Sequence, residues 1–344
     1  MIISINDLTA RCQNLLMRAG VKEVPALRTA ETLLSADARG INSHGVIRLA
    51  RYIDCIKSGG IIPDAEVRII DEGPAFIRAS AAGGLGIPAS YEVTSRLIAK
   101  AAAMPLVAAT VNHSDHYGAA GFYAMKCADA GLIGFSMSNT CPLIAVTGAA
   151  AAGIGNNPFA YAAPAGKFRA VLFDICMSVV ASGKIIIAAA DNKPIPEGWI
   201  LDKYGKPTTD PQAIYDGAIM LPFGGHKGYG LAMMVEMLAG VLAGAGTLSG
   251  VNSWNTIPGQ DADTGHFFLA INPEFFGGLA NFTTRMEKVI EELTTAPKVD
   301  GVQKIYYPGE LEFISEKRAQ ENGIDLPDAS AAELDRADKL LSGN

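Results

Sequence analysis

The chain has 344 residues; 49% are hydrophobic, 18% are charged, and 35 acidic against 28 basic side chains leave a formal charge of −7. That excludes a disordered chain, which needs low hydrophobicity and high net charge, and it leaves no basic stripe for nucleic-acid phosphates. The length allows roughly two domains, and 37 glycines, against an ordinary share of roughly 7%, supply many positions for unusual backbone angles or close approach.

Residues 1–7 lack the basic start and long apolar run of a signal peptide. Ser4 followed by Asp7 predicts a helix start, with Leu8, Leu15 and Leu16 continuing at helical spacing. A second helix fits residues 25–39, ended by Gly40, and Asn42-Ser43 caps a third that runs to about Lys57 and closes at Ser58-Gly59-Gly60. From Asp71 the texture changes. Apolar runs at 75–79, 106–111, 132–138, 171–175 and 267–271 predict strands, alternating with helices at 89–103, 118–130 and 229–243, as in an α/β domain. After Asn281 the chain returns to charged helical sequence, with Met286, Val289, Ile290 and Leu293 on one face, so both termini are expected to share a second domain. Glu236 and Lys184 interrupt the two most apolar stretches before either reaches the roughly 20 residues of a membrane span. Five scattered cysteines (Cys12, Cys55, Cys127, Cys141, Cys176) without a C-x-x-C pair predict reduced thiols and a cytoplasmic protein.

Three segments carry candidate chemistry. On the third predicted helix, at about 100° per residue, Arg48 and Tyr52 fall about 40° and 80° from His44, a stripe offering a proton carrier, a guanidinium for a carboxylate and a phenol. The same stripe also suits an ordinary solvated face. Asn112 to Gly118 follows a strand and opens a helix, placing His113 and His116 where ligands of α/β sheets sit. Helix capping is the plainer role for both, and no further ligand stands at metal spacing, so no metal is expected. Pro222 to Gly230 is a glycine-rich turn before a helix, and with Lys227 it suits a phosphate or serves as a hinge. Gly84-Leu85-Gly86-Ile87-Pro88-Ala89 matches a dinucleotide fingerprint, but no acidic residue follows at the required distance of roughly 20 positions.

Further ordered segments complete the picture: Ala36-Asp37-Ala38-Arg39-Gly40-Ile41 with Ser43-His44-Gly45 and Arg48, His116 with Gly118, Gly155-Asn156-Asn157-Pro158, Phe173-Asp174, Pro207-Thr208-Thr209-Asp210-Pro211, Lys227-Gly228-Tyr229-Gly230-Leu231 and Tyr307-Pro308-Gly309. Together, over nearly the whole chain, they resemble the type-2 malate/L-lactate dehydrogenases, a family that includes ureidoglycolate, diketogulonate, sulfolactate and piperideine-2-carboxylate enzymes. The resemblance implies an α/β fold: a mixed-sheet, three-layer NAD(P)-binding domain over residues 73–281, not a Rossmann domain, and a helical domain from residues 1–72 and 282–344. It implies NAD or NADP, a small carboxylate substrate of malate or lactate type, and a homodimer with the active site near its interface. By position His116 is the implied acid/base and His44 a second proton carrier, the order between them left open. Arg48 is the implied carboxylate clamp, with Ser43, Tyr52 and Cys141 beside the substrate. Thr140, Asp174, Ile175, Cys176, His226, Lys227, Gly309 and Glu310 are the implied cofactor contacts. The glycines at strand-to-helix junctions then read as close approaches to a dinucleotide.

Departures from the family pattern narrow the substrate. Lys184 stands where the imine reductases resembling this chain use an Asp, which argues against imine reduction, and Cys141 stands where ureidoglycolate dehydrogenase has an acid. Ureidoglycolate remains the alternative substrate, followed by diketogulonate and cyclic imine carboxylates. Cys176 replaces the usual Ala.

Overall fold

The computed structural model describes residues 1–342. The chain opens with helix α1 (Ile5–Arg18), and Ser4 caps it by accepting from the Asp7 N–H at 3.1 Å. Leu8, Cys12, Leu15 and Leu16, at i, i+4, i+7 and i+8, face inward and pack with α2 (Glu23–Ala38) and α3 (Leu49–Ser58). Each buried leucine contributes about 1.5–3 kcal/mol. The end of the chain enters the same core: α9 (Glu310–Asn322) supplies Ala319, and α10 (Asp328–Ser342) supplies Leu334 and Ala337. A short antiparallel pairing of Ile2–Ile3 with Ile324–Asp325 ties the two termini together. Helix α8 (Leu279–Thr294) lies elsewhere, with Ile290 buried against Ala165 and Val171 of the sheet, while Val289 and Leu293 stay exposed.

Between the terminal helices runs a seven-stranded mixed sheet. Its strands are β1 (Arg68–Glu72), β2 (Phe76–Ser80), β3 (Leu106–Ser114), β4 (Ile133–Ser138), β5 (Phe159–Ala165), β6 (Phe168–Ile175) and β7 (Thr264–Ile271), in the order β1-β2-β3-β7-β4-β5-β6. The β2–β3 pair is parallel, joined across α4 (Gly86–Ala101); the other five pairs are antiparallel. Central β7 shows why the sheet is covered on both sides. Phe268 and Ala270 pack under α4 and α5 (Ala120–Asp129), whereas Phe267 and Leu269 face α7 (His226–Val235), the period-two alternation of a strand between two apolar layers. The helix expected at 229–243 is α7 followed by a π-helical turn, Glu236–Val241. A second, five-stranded sheet of two- and three-residue strands, absent from the sequence expectation, draws on residues 144–154 and 200–220, and α6 (Ser182–Ala190) lies between these two stretches in the chain.

The third predicted helix departs from expectation. Residues Asn42–His44 and Val46–Arg48 form separate 3-10 turns, broken at Gly45, and α3 begins only at Leu49. The cause lies beneath them. Buried Asp37 accepts the Val46 N–H at 2.8 Å, and a side chain on Gly45 would overlap the Asp37 carboxylate. His44 therefore reaches the site from its own turn, Arg48 from the end of the second turn where it caps α3, and Tyr52 from the first turn of α3.

Gly86 has a comparable role. A Cβ there would overlap the Asp115 carbonyl oxygen and stand 2.9 Å from that of His116. The dinucleotide-like glycine run thus seats α4 against the His116 turn, a close approach of the chain to itself.

Candidate active site

His116 sits in the turn between β3 and α5, the strand-to-helix junction expected to carry it. Its Nδ1 lies 2.6 Å from the Tyr52 hydroxyl and 3.4 Å from the Gly118 amide nitrogen, leaving Nε2 without a protein partner among these contacts. The His44 ring stacks near it at 5.6 Å between centroids, and Ser43 Oγ is 2.9 Å from His44 Nδ1. Arg48 donates through Nε to the Ser43 carbonyl at 2.6 Å; among the described residues its terminal nitrogens make no hydrogen bond. Ser43, His44, Arg48, Tyr52 and His116 thus meet at one place, contributed by two separate parts of the fold.

Electrostatics follow from burial. His116 is held well below its ordinary value, first by burial and then by its nearness to the other proton-binding rings, His44 and His266, and to the Arg48 charge. His44 is pulled down to about 4 by burial and by Arg48. Both imidazoles rest neutral, the form that accepts a proton. Asp115, beside His116, is pushed up to about 7 by burial, and its Oδ1 accepts the His116 backbone N–H at 2.6 Å.

The candidate cofactor residues form two groups joined by the end of β6. In the first, Asp174 accepts the Gly121 N–H at the start of α5 at 2.7 Å, and burial raises its carboxyl to about 6. Gly309 is seated against Leu172 on the same strand, and beside it Glu310 pairs with Lys304 at 2.5 Å through Oε1 while its Oε2 is buried without a partner. In the second, the Thr140 N–H donates to Asn157 Oδ1 at 3.0 Å and Thr140 Oγ1 to Asn156 Oδ1 at 3.2 Å. The Asn156 carbonyl accepts from Met177, which follows Ile175 and Cys176, and the Met177 carbonyl accepts from Phe223 at the turn that opens α7. Ile175 packs on the inner core, and Cys176 Sγ lies 3.1 Å from Ser178 Oγ. His226 and Lys227 stand exposed on the first turn of α7. Burial pushes the Cys141 thiol up, against the opposing pull of the Ser253 hydroxyl, which precedes Trp254 in the chain.

His113 takes no part. It pairs with Asp261 at 2.5 Å on the surface, and among the described residues no three His, Cys, Asp or Glu side chains converge as a metal site. Sequence reasoning missed Trp254, whose ring stacks on His116 at 4.5 Å and lies 5.7 Å from the Arg48 guanidinium carbon. The available signal was a rare tryptophan in a Gly- and Asn-rich turn, where no apolar face requires one.

His266 is a structural histidine. Fully buried on β7, it hydrogen-bonds Ser138 Oγ at 2.9 Å and Ser114 Oγ at 2.8 Å, and burial pushes it down to about 3. Below about pH 6.5 the unfolded chain binds a proton that native His266 refuses, so its contribution is full above that pH and fades as pH falls toward the native value. The stability advantage of wild type over His266→Asn should shrink by about 2 kcal/mol between pH 7 and pH 5, measured by urea denaturation. An advantage constant across that range would refute this. The variant comparison is needed because Asp37 and Asp115, both raised to about 7, tilt the total the other way: their native forms retain protons that the unfolded chain releases.

Among the described residues no helix is long and apolar enough to cross a membrane. The family model for malate/L-lactate dehydrogenase matches residues 3–335. The malate dehydrogenase of Pyrococcus abyssi is 37% identical over 328 residues, covering 93% of this chain and 90% of that protein. The ureidoglycolate dehydrogenase (NAD(+)) of Escherichia coli O157:H7 is 34% identical over 328 residues, covering 95% and 93%. The solved malate dehydrogenase of Pyrococcus horikoshii OT3 superposes with a TM-score of 0.90 at 33% identity over 99% of this chain and 95% of that one. The chain belongs to the malate/L-lactate dehydrogenase family.

Proposed function

We propose that this protein transfers a hydride between a nicotinamide dinucleotide, NAD or NADP, and a small 2-hydroxy or 2-oxo carboxylate of the malate or lactate type. The observation that carries the reading is Arg48: a guanidinium with uncommitted terminal donors beside two neutral histidines suits a carboxylate whose neighbouring carbon exchanges a proton. The other residues fit a dinucleotide. Buried Glu310 Oε2 lacks a donor such as a ribose hydroxyl, and α7 offers Lys227 and open space above Gly225 and Gly230 to a phosphate. When bound, the dinucleotide supplies or takes up the hydride.

The chain itself holds the carboxylate on Arg48 and moves the proton at His116 Nε2. Oxidation of the alcohol needs neutral His116, which burial provides. Reduction needs the proton loaded. A substrate carboxylate on Arg48 offsets the charge that helps to hold His116 down, so substrate and proton favour each other. For Nε2 to take the proton, Nδ1 must carry the ring's other one, so in the reactive tautomer Nδ1 donates to the Tyr52 hydroxyl oxygen both before and after proton uptake, and the 3.4 Å approach of the Gly118 N–H is then a contact and not a hydrogen bond. His44, with Ser43, is the second proton carrier.

Exposed Met233, Met237 and Val241, spaced by four along α7 and its π-helical continuation, support a homodimer that covers this face. The five unpaired thiols suit the cytoplasm.

The test is a panel of oxaloacetate, pyruvate and other 2-oxoacids with NADH and NADPH, plus ureidoglycolate with the oxidised cofactors. Wild type should turn over at least one carboxylate, and Arg48→Met should raise its KM by roughly 10²-fold, the value of a lost charge-assisted pair at about 1.5–3 kcal/mol or more. Absence of turnover on every substrate with both cofactors would sink the reading.

A further inference from the structure

We propose that Trp254 is a positioning residue for His116, and that Arg51 acts through it by holding the segment that carries the indole. The inference rests on the dehydrogenase reading above and adds to it two residues that the family resemblance did not supply.

From the end of its 3-10 lead-in, α3 aims residues 48, 51, 52 and 55 at one place, the i, i+3, i+4, i+7 spacing of one helix face. Arg51 Nε donates to the Trp254 carbonyl at 2.9 Å, and the Cys55 thiol donates to the same oxygen at 3.5 Å. The indole then stacks on His116 at 4.5 Å and 24° and on Tyr52 at 5.6 Å and 23°, and it lies beneath Arg48. The rest of the segment is also pinned. Asn252 Nδ2 donates to the Asp261 carbonyl at 2.7 Å, the Asp261 carboxylate pairs with His113, and the carbonyls of Pro258 and Gln260 press on Gly60, where a side chain would collide with them.

The geometry assigns a division of labour. The Tyr52 hydrogen bond fixes one atom of the imidazole, Nδ1, but a single hydrogen bond leaves the ring free to tilt about that contact. A second aromatic plane stacked within van der Waals reach removes the tilt and so sets the direction of Nε2. The indole also keeps water off that face of the ring. The titratable and charged groups facing His116 are His44, Arg48 and Tyr52 from the N-terminal elements, Asp115 from its own turn, and His266 from β7. Replacing Trp254 removes none of these groups, although it also takes the indole from the faces of Tyr52 and Arg48.

The experiment compares Trp254→Ala, Trp254→Phe and Arg51→Met with wild type, using steady-state kinetics on the best substrate of the panel and an NMR titration of the His116 ring protons. In Trp254→Ala, kcat should fall roughly 10–100-fold, the cost of a misaimed catalytic group, with KM changed less than about threefold. The His116 titration should move toward its ordinary value as water replaces the indole. Phe should restore kcat to within about threefold, since it keeps the stack. Arg51→Met should reproduce a weaker form of the Ala defect and add little in the Trp254→Ala background, the non-additivity of two residues acting through one contact. A Trp254→Ala enzyme with wild-type kcat and an unmoved titration overturns the proposal, and so does a defect confined to KM or one that Phe fails to rescue. The NMR arm needs no turnover. If wild type reduces nothing but the titration still moves, the positioning contact stands and the dehydrogenase reading falls; if wild type is active and the titration stays put, the positioning role falls alone.

Discussion

Replacing His116 with asparagine is expected to lower turnover by roughly 10²–10⁴-fold, the usual loss when a positioned general acid or base is removed, while leaving the fold intact. The residue packs at the edge of the core, and its side-chain polar contacts go to Tyr52 and Gly118 alone, so asparagine leaves no large cavity. The reaction, in contrast, would lose the group proposed to carry the hydroxyl proton. Tyr52→Phe should cost less, roughly tenfold, because the imidazole remains but one anchor of its ring is gone. His44→Asn decides the order of the two histidines: if His44 were the principal proton carrier, its loss would match that of His116. With pH, the oxidation rate should climb as His116 sheds its proton and the reduction rate should climb as pH falls, because the two directions need opposite forms of one imidazole. The measurement is kcat in both directions against pH, with circular dichroism and a thermal melt as the fold control. A folded His116→Asn enzyme keeping more than a tenth of wild-type turnover would exclude His116 as the acid/base.

Much of this arrangement was legible along the chain because its elements announce themselves locally. The strands at 106–114, 133–138 and 264–271 are apolar runs bounded by polar or glycine residues, and they fall within a few residues of expectation. Strand β1 sets Ile69 and Ile70 among three charged residues, with four of its five residues exposed, and β5 sets Phe159 and Tyr161 among four alanines and a proline, so neither forms the continuous apolar run that marks the other strands. The helical stripe of His44, Arg48 and Tyr52 named residues that do meet, but only Arg48 and Tyr52 meet through helical spacing. His44 arrives on a separate turn because Asp37, a residue on another helix, captures the Val46 N–H. Trp254 and Arg51 are 203 positions apart, and no local period links them. The glycine excess was read as room for a dinucleotide. At Gly45 and Gly86 it is room for the chain itself, a distinction that depends on which backbone passes nearby and has no trace in the sequence.

Glu236 carries the second large effect. Read in the sequence only as a charge that breaks an apolar stretch, it is 3% exposed and begins the π-helical turn after α7, the kind of helix irregularity that often marks functional ground. Its carboxylate accepts from Asn157 Nδ2 and the Leu248 N–H at 2.9 Å each and from Asn139 Nδ2 at 3.4 Å. Asn157 in turn presents Oδ1 to the Thr140 N–H, so a buried anion holds the loop proposed to line the cofactor. Alanine would strand the Leu248 N–H, weaken two amide contacts and open a cavity. The expected loss is about 3 kcal/mol or more, seen as a lower urea midpoint at unchanged slope. Glu236→Gln keeps the volume and one acceptor but turns an NH₂ toward groups that are themselves donors, so it should lose about half as much stability. It should also weaken dinucleotide binding roughly tenfold, as Asn157 lets go of Thr140. A Glu236→Ala protein with the wild-type midpoint would mean that the carboxylate stabilises nothing. A Glu236→Gln protein that is less stable but binds the dinucleotide normally would detach the Asn157–Thr140 loop from the cofactor site.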